Sequence, residues 1–155
     1  MKKVLLTNVL LALLPVFMVA QVVINEIRID QASADDDEYF ELANQGAAPV
    51  SLDGYFYLVI GDGSGGSKVI EEVVDLSGNT IAANGFFVVA ESSFSLATAD
   101  ITESLSFENS DNVTHILVQG FSGSNGDDLA STPQEKPAVL VSLAPNSFLC
   151  TCGPH

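Results

Sequence analysis

The sequence predicts an all-β sandwich built as one domain. Short β-branched and aromatic runs recur along the chain, and glycine- or asparagine-containing turns separate them. Beyond residue 20, no stretch of about ten residues shows a clean 3.6-residue apolar period bounded by caps. The 155 residues suffice for one domain with a core, and the 47% hydrophobic content excludes a disordered chain.

The first 20 residues are typical of a secretory signal peptide. Two lysines precede an almost purely apolar run at residues 4–14, and the segment ends at the small residue Ala20. We therefore expect bacterial export, cleavage between Ala20 and Gln21, and a secreted or cell-surface mature chain of residues 21–155. A retained membrane anchor is the alternative, although the apolar stretch is short for a span of about 20 residues.

Seven segments of the mature chain are predicted to be strands. They are residues 22–29, 38–43, 55–60, 69–74, 86–90, 113–118 and 138–144. The run 55–60 is apolar on both faces, which indicates a central strand. Asp53-Gly54 and Asn84-Gly85 are hairpin-type dipeptides, residues 61–66 form a predicted hairpin loop, and residues 121–137 have the composition of a loop or linker.

The mature chain is strongly acidic. Of the five lysines and arginines in the whole chain, only Arg28, Lys68 and Lys136 follow residue 20, and they oppose 20 acids for a formal charge of −17. Such a surface repels nucleic-acid phosphates, so direct nucleic-acid binding is not expected. It favours solubility and attracts cations.

Residues 22–128 resemble the lamin-tail-like domain, an immunoglobulin-like sandwich found in secreted bacterial proteins. The segments that carry the resemblance, in order, are Val-Ile-Asn-Glu-Ile at 23–27, Glu-Tyr-Phe-Glu-Leu-Ala-Asn at 38–44, Ala-Pro-Val-Ser-Leu-Asp-Gly-Tyr at 48–55, Thr-Ile-Ala-Ala-Asn-Gly-Phe-Phe-Val-Val at 80–89 and Ser-Phe-Glu-Asn-Ser-Asp-Asn-Val-Thr at 106–114. The resemblance implies a domain at 21–128, with residues 129–155 as a linker or tail that departs from the family pattern.

The resemblance implies a secreted, non-catalytic binding or structural module rather than an enzyme. Its partner would be a protein or an extracellular polymer, and after signal cleavage it would not be embedded in a membrane. Two alternatives stay open. The chain is the N-terminal fragment of a multidomain extracellular nuclease or phosphatase, or it is a calcium-dependent adhesion module.

An acidic cluster near the first predicted turn is the basis of the calcium alternative. Its members are Glu26, Asp30, Asp35, Asp36, Asp37, Glu38 and Glu41. Calcium binds 6–8 oxygen ligands, and a loop between paired strands would bring Asp30, Asp35 and Asp37 together. No calcium-loop motif is present, however, and charge runs are usually solvated. The simpler interpretation is therefore a solvated acidic loop.

Candidate catalytic residues do not form a convincing set. Glu26 shares an alternating face with Val22 and Ile24, which predicts partial burial, and a Glu26–Glu41 pair would suit acid–base work only with further support. His115 shares a strand face with Val113 and Leu117, which is typical of a packed ring rather than a base. We predict no catalytic or cofactor-binding residue.

Other motifs also fail their chemical requirements. The glycine-rich residues 61–66 lack the lysine and the following helix of a phosphate loop, and Ser64 is not in a nucleophile motif. Cys150, Cys152 and His155 offer too few ligands for a zinc site. Asn112 starts a glycosylation pattern, which is informative only in a eukaryotic secretory host. We therefore predict no metal site outside the calcium alternative.

Overall fold

All the regular structure that the computed structural model describes is β-structure. The described residues are 21–29, 31, 34, 36–61, 68–105, 107, 113–129 and 139–142. Their ten strands are β1 (Val22–Arg28), β2 (Tyr39–Asn44), β3 (Val50–Ser51), β4 (Tyr55–Gly61), β5 (Val69–Asp75), β6 (Thr80–Ile81), β7 (Phe86–Ala90), β8 (Ile101–Thr102), β9 (Thr114–Gln119) and β10 (Val139–Ser142). The predicted all-β class is confirmed, and each of the seven predicted strands overlaps an observed one.

The strands form two four-stranded sheets and one small ladder. The first sheet has the order β1-β2-β7-β8, the second has the order β10-β9-β4-β5, and β3 pairs with β6. Every pairing is antiparallel except that of β7 with β8, which is parallel. The strand β4 lies between β9 and β5, so its predicted central position is confirmed.

The core lies between the two large sheets. Phe40 of β2 and Tyr57 of β4 stack face to face across it, with ring centroids 3.7 Å apart. The other main contributors are apolar side chains from both sheets and the small ladder, including Ile24, Leu42, Leu52, Val59, Val74, Leu76, Ile81, Phe87, Val89, Leu105, Phe107 and Leu117. Since one continuous core joins both sheets, they pack as the layers of a β-sandwich.

A β-bulge in β1 corrects the predicted face of Glu26. The pairing register with β2 shifts between Ile24 and Glu26. The extra residue, Asn25, reverses the alternation, so that Ile27 packs against the core and Glu26 is exposed. The prediction that Glu26 is partly buried is therefore wrong, because a strict two-residue period cannot pass through a bulge.

Two predicted hairpin turns instead connect strands that are not paired with each other. Asp53-Gly54 links β3 to β4, and the turn at Asn84 links β6 to β7. Both turns need a residue with positive φ, which Gly54 (73°) and Asn84 (52°) supply. The dipeptides therefore mark turns correctly, but turn chemistry alone does not decide whether the flanking strands pair.

Asn44, at the end of β2, ties two connections together inside the protein. Its side chain is 2% exposed. The Nδ2 group donates to the carbonyl oxygens of Ala48 (2.8 Å) and Ala82 (2.9 Å), and Oδ1 accepts from the Gly46 N–H (2.8 Å). Asn44 therefore satisfies backbone groups in the connection from β2 to β3 and in the turn between β6 and β7.

The segment predicted to be a loop or linker folds back onto the second sheet. The Ile70 N–H donates to the Asp127 carbonyl oxygen (2.9 Å), and the Gly126 N–H donates to the Ile70 carbonyl oxygen (2.7 Å). Residues 121–129 are a loop, as predicted, but they cover the outer edge of β5 instead of leaving the domain. Beyond them, β10 pairs with β9, so part of the predicted tail belongs to the sheet.

The predicted signal peptide lies outside the described residues. In the described ranges there is no helix with the length and apolar character needed to cross a membrane.

Candidate functional site

The outward side of the first sheet carries an ordered set of side chains, which we call the outer face. The registers of β1, β2 and β7 place its members in three rows across the strands. The rows are Val23–Ala43–Phe86, Glu26–Glu41–Val88 and Arg28–Tyr39–Ala90. The inward-pointing alternates, such as Phe40 and Val89, belong to the core, so the two sides of this sheet are chemically distinct.

Two carboxylates lie side by side in the middle row. The bulge at Asn25 brings Glu26 directly opposite Glu41 on the neighbouring strand. One oxygen of each carboxylate has a neutral donor: the Tyr39 hydroxyl donates to Glu26 Oε1 (2.7 Å), and Asn25 Nδ2 donates to Glu41 Oε1 (2.6 Å). The second oxygen of each has no hydrogen-bond partner among the described residues.

Tyr39 is the hydrogen-bonding centre of the outer face. Burial raises the pKa of Tyr39 to about 12, and the hydrogen bond and the charge of Glu26 act in the same direction. The phenol is therefore a permanent donor at neutral pH. Its ring also contacts Phe94, with centroids 5.2 Å apart, so the turn after β7 lies against this row.

Phe86 is the most exposed large apolar side chain of the described chain, at 59%. It begins β7, beside Ala43 and diagonal to Glu41. Its sequence pattern predicts a strand but no functional role. The signal was the alternation in Phe86–Ala90, where Phe87 and Val89 fill the core and Phe86 must therefore point outward.

The remaining described members of the acidic cluster serve the fold. Asp37 accepts hydrogen bonds from the Ser95 N–H (2.6 Å) and hydroxyl (3.1 Å). Glu38 is 5% exposed and accepts from the Phe107 N–H (3.0 Å). The Asp36 N–H donates to the Ala34 carbonyl oxygen (3.0 Å), and Asp30 and Asp35 lie outside the described residues. Among the residues described, no three His, Cys, Asp or Glu side chains form a group able to hold a metal ion.

His115 lies inside the sandwich, as its strand face predicted. It is 9% exposed, its Nδ1 is 2.7 Å from the Tyr57 hydroxyl, and the Phe107 ring meets it edge-on with centroids 5.0 Å apart. Nε2 is buried and has no hydrogen-bond partner among the described residues. Burial lowers the pKa of His115 to about 4, so the ring is neutral at physiological pH.

A second acidic location adjoins a surface pocket of about 350 Å³. The pocket is lined by Glu91, Ser92, Ser93, Thr102, Glu103 and Ser104. Burial raises the pKa of nearby Glu72 on β5, and the charge of Glu103 adds to this effect. The structure therefore separates two acidic pairs: Glu26–Glu41 lies on the outer face, and Glu72 of β5, in the second sheet, lies near Glu103, which follows β8.

Several candidates from the sequence fall outside the described residues. They are Cys150, Cys152, His155, Asn112, Ser64 and the centre of the glycine-rich loop at residues 62–67. The strands β4 and β5 that flank this loop do pair, so the predicted hairpin is confirmed.

No protein-family model matches the chain, and no curated protein matches it significantly.

Proposed function

We propose that the protein is a secreted, non-catalytic binding module of lamin-tail-like type that engages an extracellular protein or polymer through the outer face. One observation carries this proposal. The outer face presents an exposed phenyl ring beside two incompletely satisfied carboxylates, whereas His115, Tyr57 and Glu38 are buried in hydrogen-bonded positions. Flat, exposed sheet faces with aromatic anchors suit binding, because they offer area without a reaction cleft.

The strand order supports an immunoglobulin-like arrangement. The second sheet has the order β10-β9-β4-β5, which corresponds to the G-F-C-C′ sheet of that fold, and β1-β2-β7 corresponds to A-B-E. One feature departs from the pattern: β8 occupies the position of strand D but follows β7 and runs parallel to it. A lamin-tail-like domain is the member of this class that the sequence segments resemble.

Expression of the full chain in a bacterial host tests export and binding together. We expect intact mass spectrometry of the exported protein to show cleavage between Ala20 and Gln21. Purified residues 21–155 should co-sediment with washed envelopes of the producing cell. Replacing exposed Phe86 with Ser should reduce the bound fraction about fivefold, because truncating a central aromatic anchor typically costs 1–2 kcal/mol or more.

Leu96, at 55% exposure, provides a matched control for loss of an exposed apolar side chain. Leu96→Ser should bind like the wild type, and both variants should retain the wild-type Tm. If the wild type and Phe86→Ser bind equally well, the outer face is not the binding surface. Turnover of phosphodiester or phosphomonoester substrates by residues 21–155, in proportion to protein concentration, would contradict the non-catalytic assignment.

A further inference from the structure

The Glu26–Glu41 pair is an electrostatic cost that the fold does not remove. Like charges directly opposite each other on neighbouring strands destabilise a sheet, since their Cβ atoms are only about 5 Å apart. The neutral donors Asn25 and Tyr39 satisfy one oxygen of each carboxylate but add no positive charge. Arg28 is one row away, and its guanidinium donates to Gln31 rather than to either glutamate.

Next to this pair, β7 presents an exposed phenyl ring. Phe86 is 59% exposed and lies diagonal to Glu41, and Val88, directly opposite Glu41, is partly exposed, whereas Val23 and Ala43 are buried. The aliphatic stem of a lysine or arginine whose charged group lies between the carboxylates would pack against these two exposed side chains of β7.

We propose that the outer face binds a lysine- or arginine-bearing segment of a partner protein in an extended conformation. The occupant's cationic side chain lies between the free oxygens of Glu26 and Glu41, and its neighbouring side chains pack against Phe86. This inference rests on the proposed binding function and names the class of partner for the same face. The formal charge of −17 on residues 21–155 accelerates the encounter with such a partner.

Two other occupants fit the face poorly. A calcium ion needs 6–8 oxygen ligands, and the pair has two free carboxylate oxygens; the described residues contain no third ligand for a metal group. The phosphates of a nucleic acid would be repelled by the two carboxylates, because both groups carry negative charge. A cationic peptide matches both the charge of the Glu26–Glu41 pair and the exposed ring of Phe86 beside it.

Isothermal titration of residues 21–155 with defined peptides tests the proposal. The probe is a ten-residue peptide of alternating lysine and threonine, which presents its lysines on one side when extended. The neutral control peptide alternates glutamine and threonine. We expect the wild type to bind the lysine peptide, with an affinity that falls as sodium chloride increases, and not to bind the glutamine peptide.

Matched double variants separate the site from general charge attraction. Glu26→Gln/Glu41→Gln should weaken binding at least tenfold. Glu72→Gln/Glu103→Gln removes the same charge from the other acidic pair and should change affinity less than threefold. Phe86→Ser should weaken binding by several fold without a change in Tm. Because the first double variant relieves repulsion, its Tm should equal or exceed that of the wild type.

Three results would overturn the proposal. Equal losses for the two double variants would show non-specific attraction to an acidic protein. Displacement of the peptide by millimolar calcium beyond the effect of equal ionic strength would assign the carboxylates to a metal. If residues 21–155 co-sediment with envelopes but do not bind the lysine peptide, the cationic partner is rejected and the binding function is kept. If they neither bind the peptide nor co-sediment with envelopes, the binding function is rejected as well.

Discussion

His115 is an ionisable ring enclosed by aromatic side chains. Tyr57 contacts its Nδ1 and Phe107 meets the ring edge-on, while none of the described residues gives Nε2 a hydrogen-bond partner that would stabilise a second proton. Protonation therefore places a charge in the sandwich without an adjacent carboxylate partner at Nε2. At neutral pH the same ring is simply a well-packed core residue that gives Tyr57 a hydrogen-bond partner.

This burial predicts an acid-dependent loss of stability. The pKa of His115 is about 4 in the folded protein against 6.5 ordinarily, so the unfolded chain binds more protons between these values. The neutral His115 ring therefore makes its full contribution to the free energy of unfolding above pH 6.5. As the pH falls toward 4, about 2–4 kcal/mol of this free energy is lost. Urea unfolding of residues 21–155 at pH 7.0 and 4.5 measures the loss.

His115→Gln isolates this contribution from the titration of the many carboxylates. The variant keeps a polar group near Tyr57 but does not titrate. It should be less stable than the wild type at pH 7.0, and the difference should shrink or reverse at pH 4.5. An identical pH dependence in both proteins would show that His115 is not responsible.

At the scale of elements, the edge of β5 is closed by the loop at residues 121–129. The unpaired backbone groups of an open edge strand can pair with another chain. Here the backbone groups of Gly126 and Asp127 form hydrogen bonds with Ile70 of β5 instead. Gly126 has a φ angle of 89°, a backbone conformation that residues with a Cβ rarely adopt. The closure therefore depends on one glycine.

Gly126→Ala should destabilise the protein by about 1–2 kcal/mol and should expose the β5 edge. Thermal unfolding measures the first effect, and hydrogen exchange at the Ile70 amide, which donates to Asp127, measures the second. Gly126→Asn is the control, because asparagine tolerates left-handed backbone better than alanine. Equal stability of the alanine variant and the wild type would show that the closure contributes little.

The positions of the strands were predictable, and the irregularities within them were not. The run at residues 55–60 is apolar on both faces, and this pattern correctly predicted a strand with a neighbour on either side. The bulge at Asn25 has no such signature, since it depends on how β1 pairs with β2. It moved Glu26 from its predicted, partly buried position to the outer face and thereby created the Glu26–Glu41 pair.

At the scale of the whole molecule, sheet membership depends on contacts between residues distant in sequence. Asp53-Gly54 and Asn84-Gly85 carried correct turn signals, yet their flanking strands pair elsewhere. Phe40 and Tyr57 both read as strand residues, but only the tertiary structure stacks them across the core. The same limit applies to the candidate site. The sequence identified Glu26 and Glu41 as candidates, but it did not predict that strand pairing places them on the same sheet face as Phe86.

The acidic charge of residues 21–155 predicts a response to salt that also tests the calcium alternative. With a formal charge of −17 on residues 21–155, repulsion opposes the compact state, and sodium chloride should relieve it. We expect the Tm to rise by about 2–6 °C between 10 and 300 mM salt, as a change of about 1 kcal/mol implies. Calcium chloride at equal ionic strength should give the same rise. A larger rise with calcium, abolished by Asp30→Asn/Asp35→Asn/Asp37→Asn, would instead establish a specific site, because a ligand that binds only the folded state adds stability beyond screening.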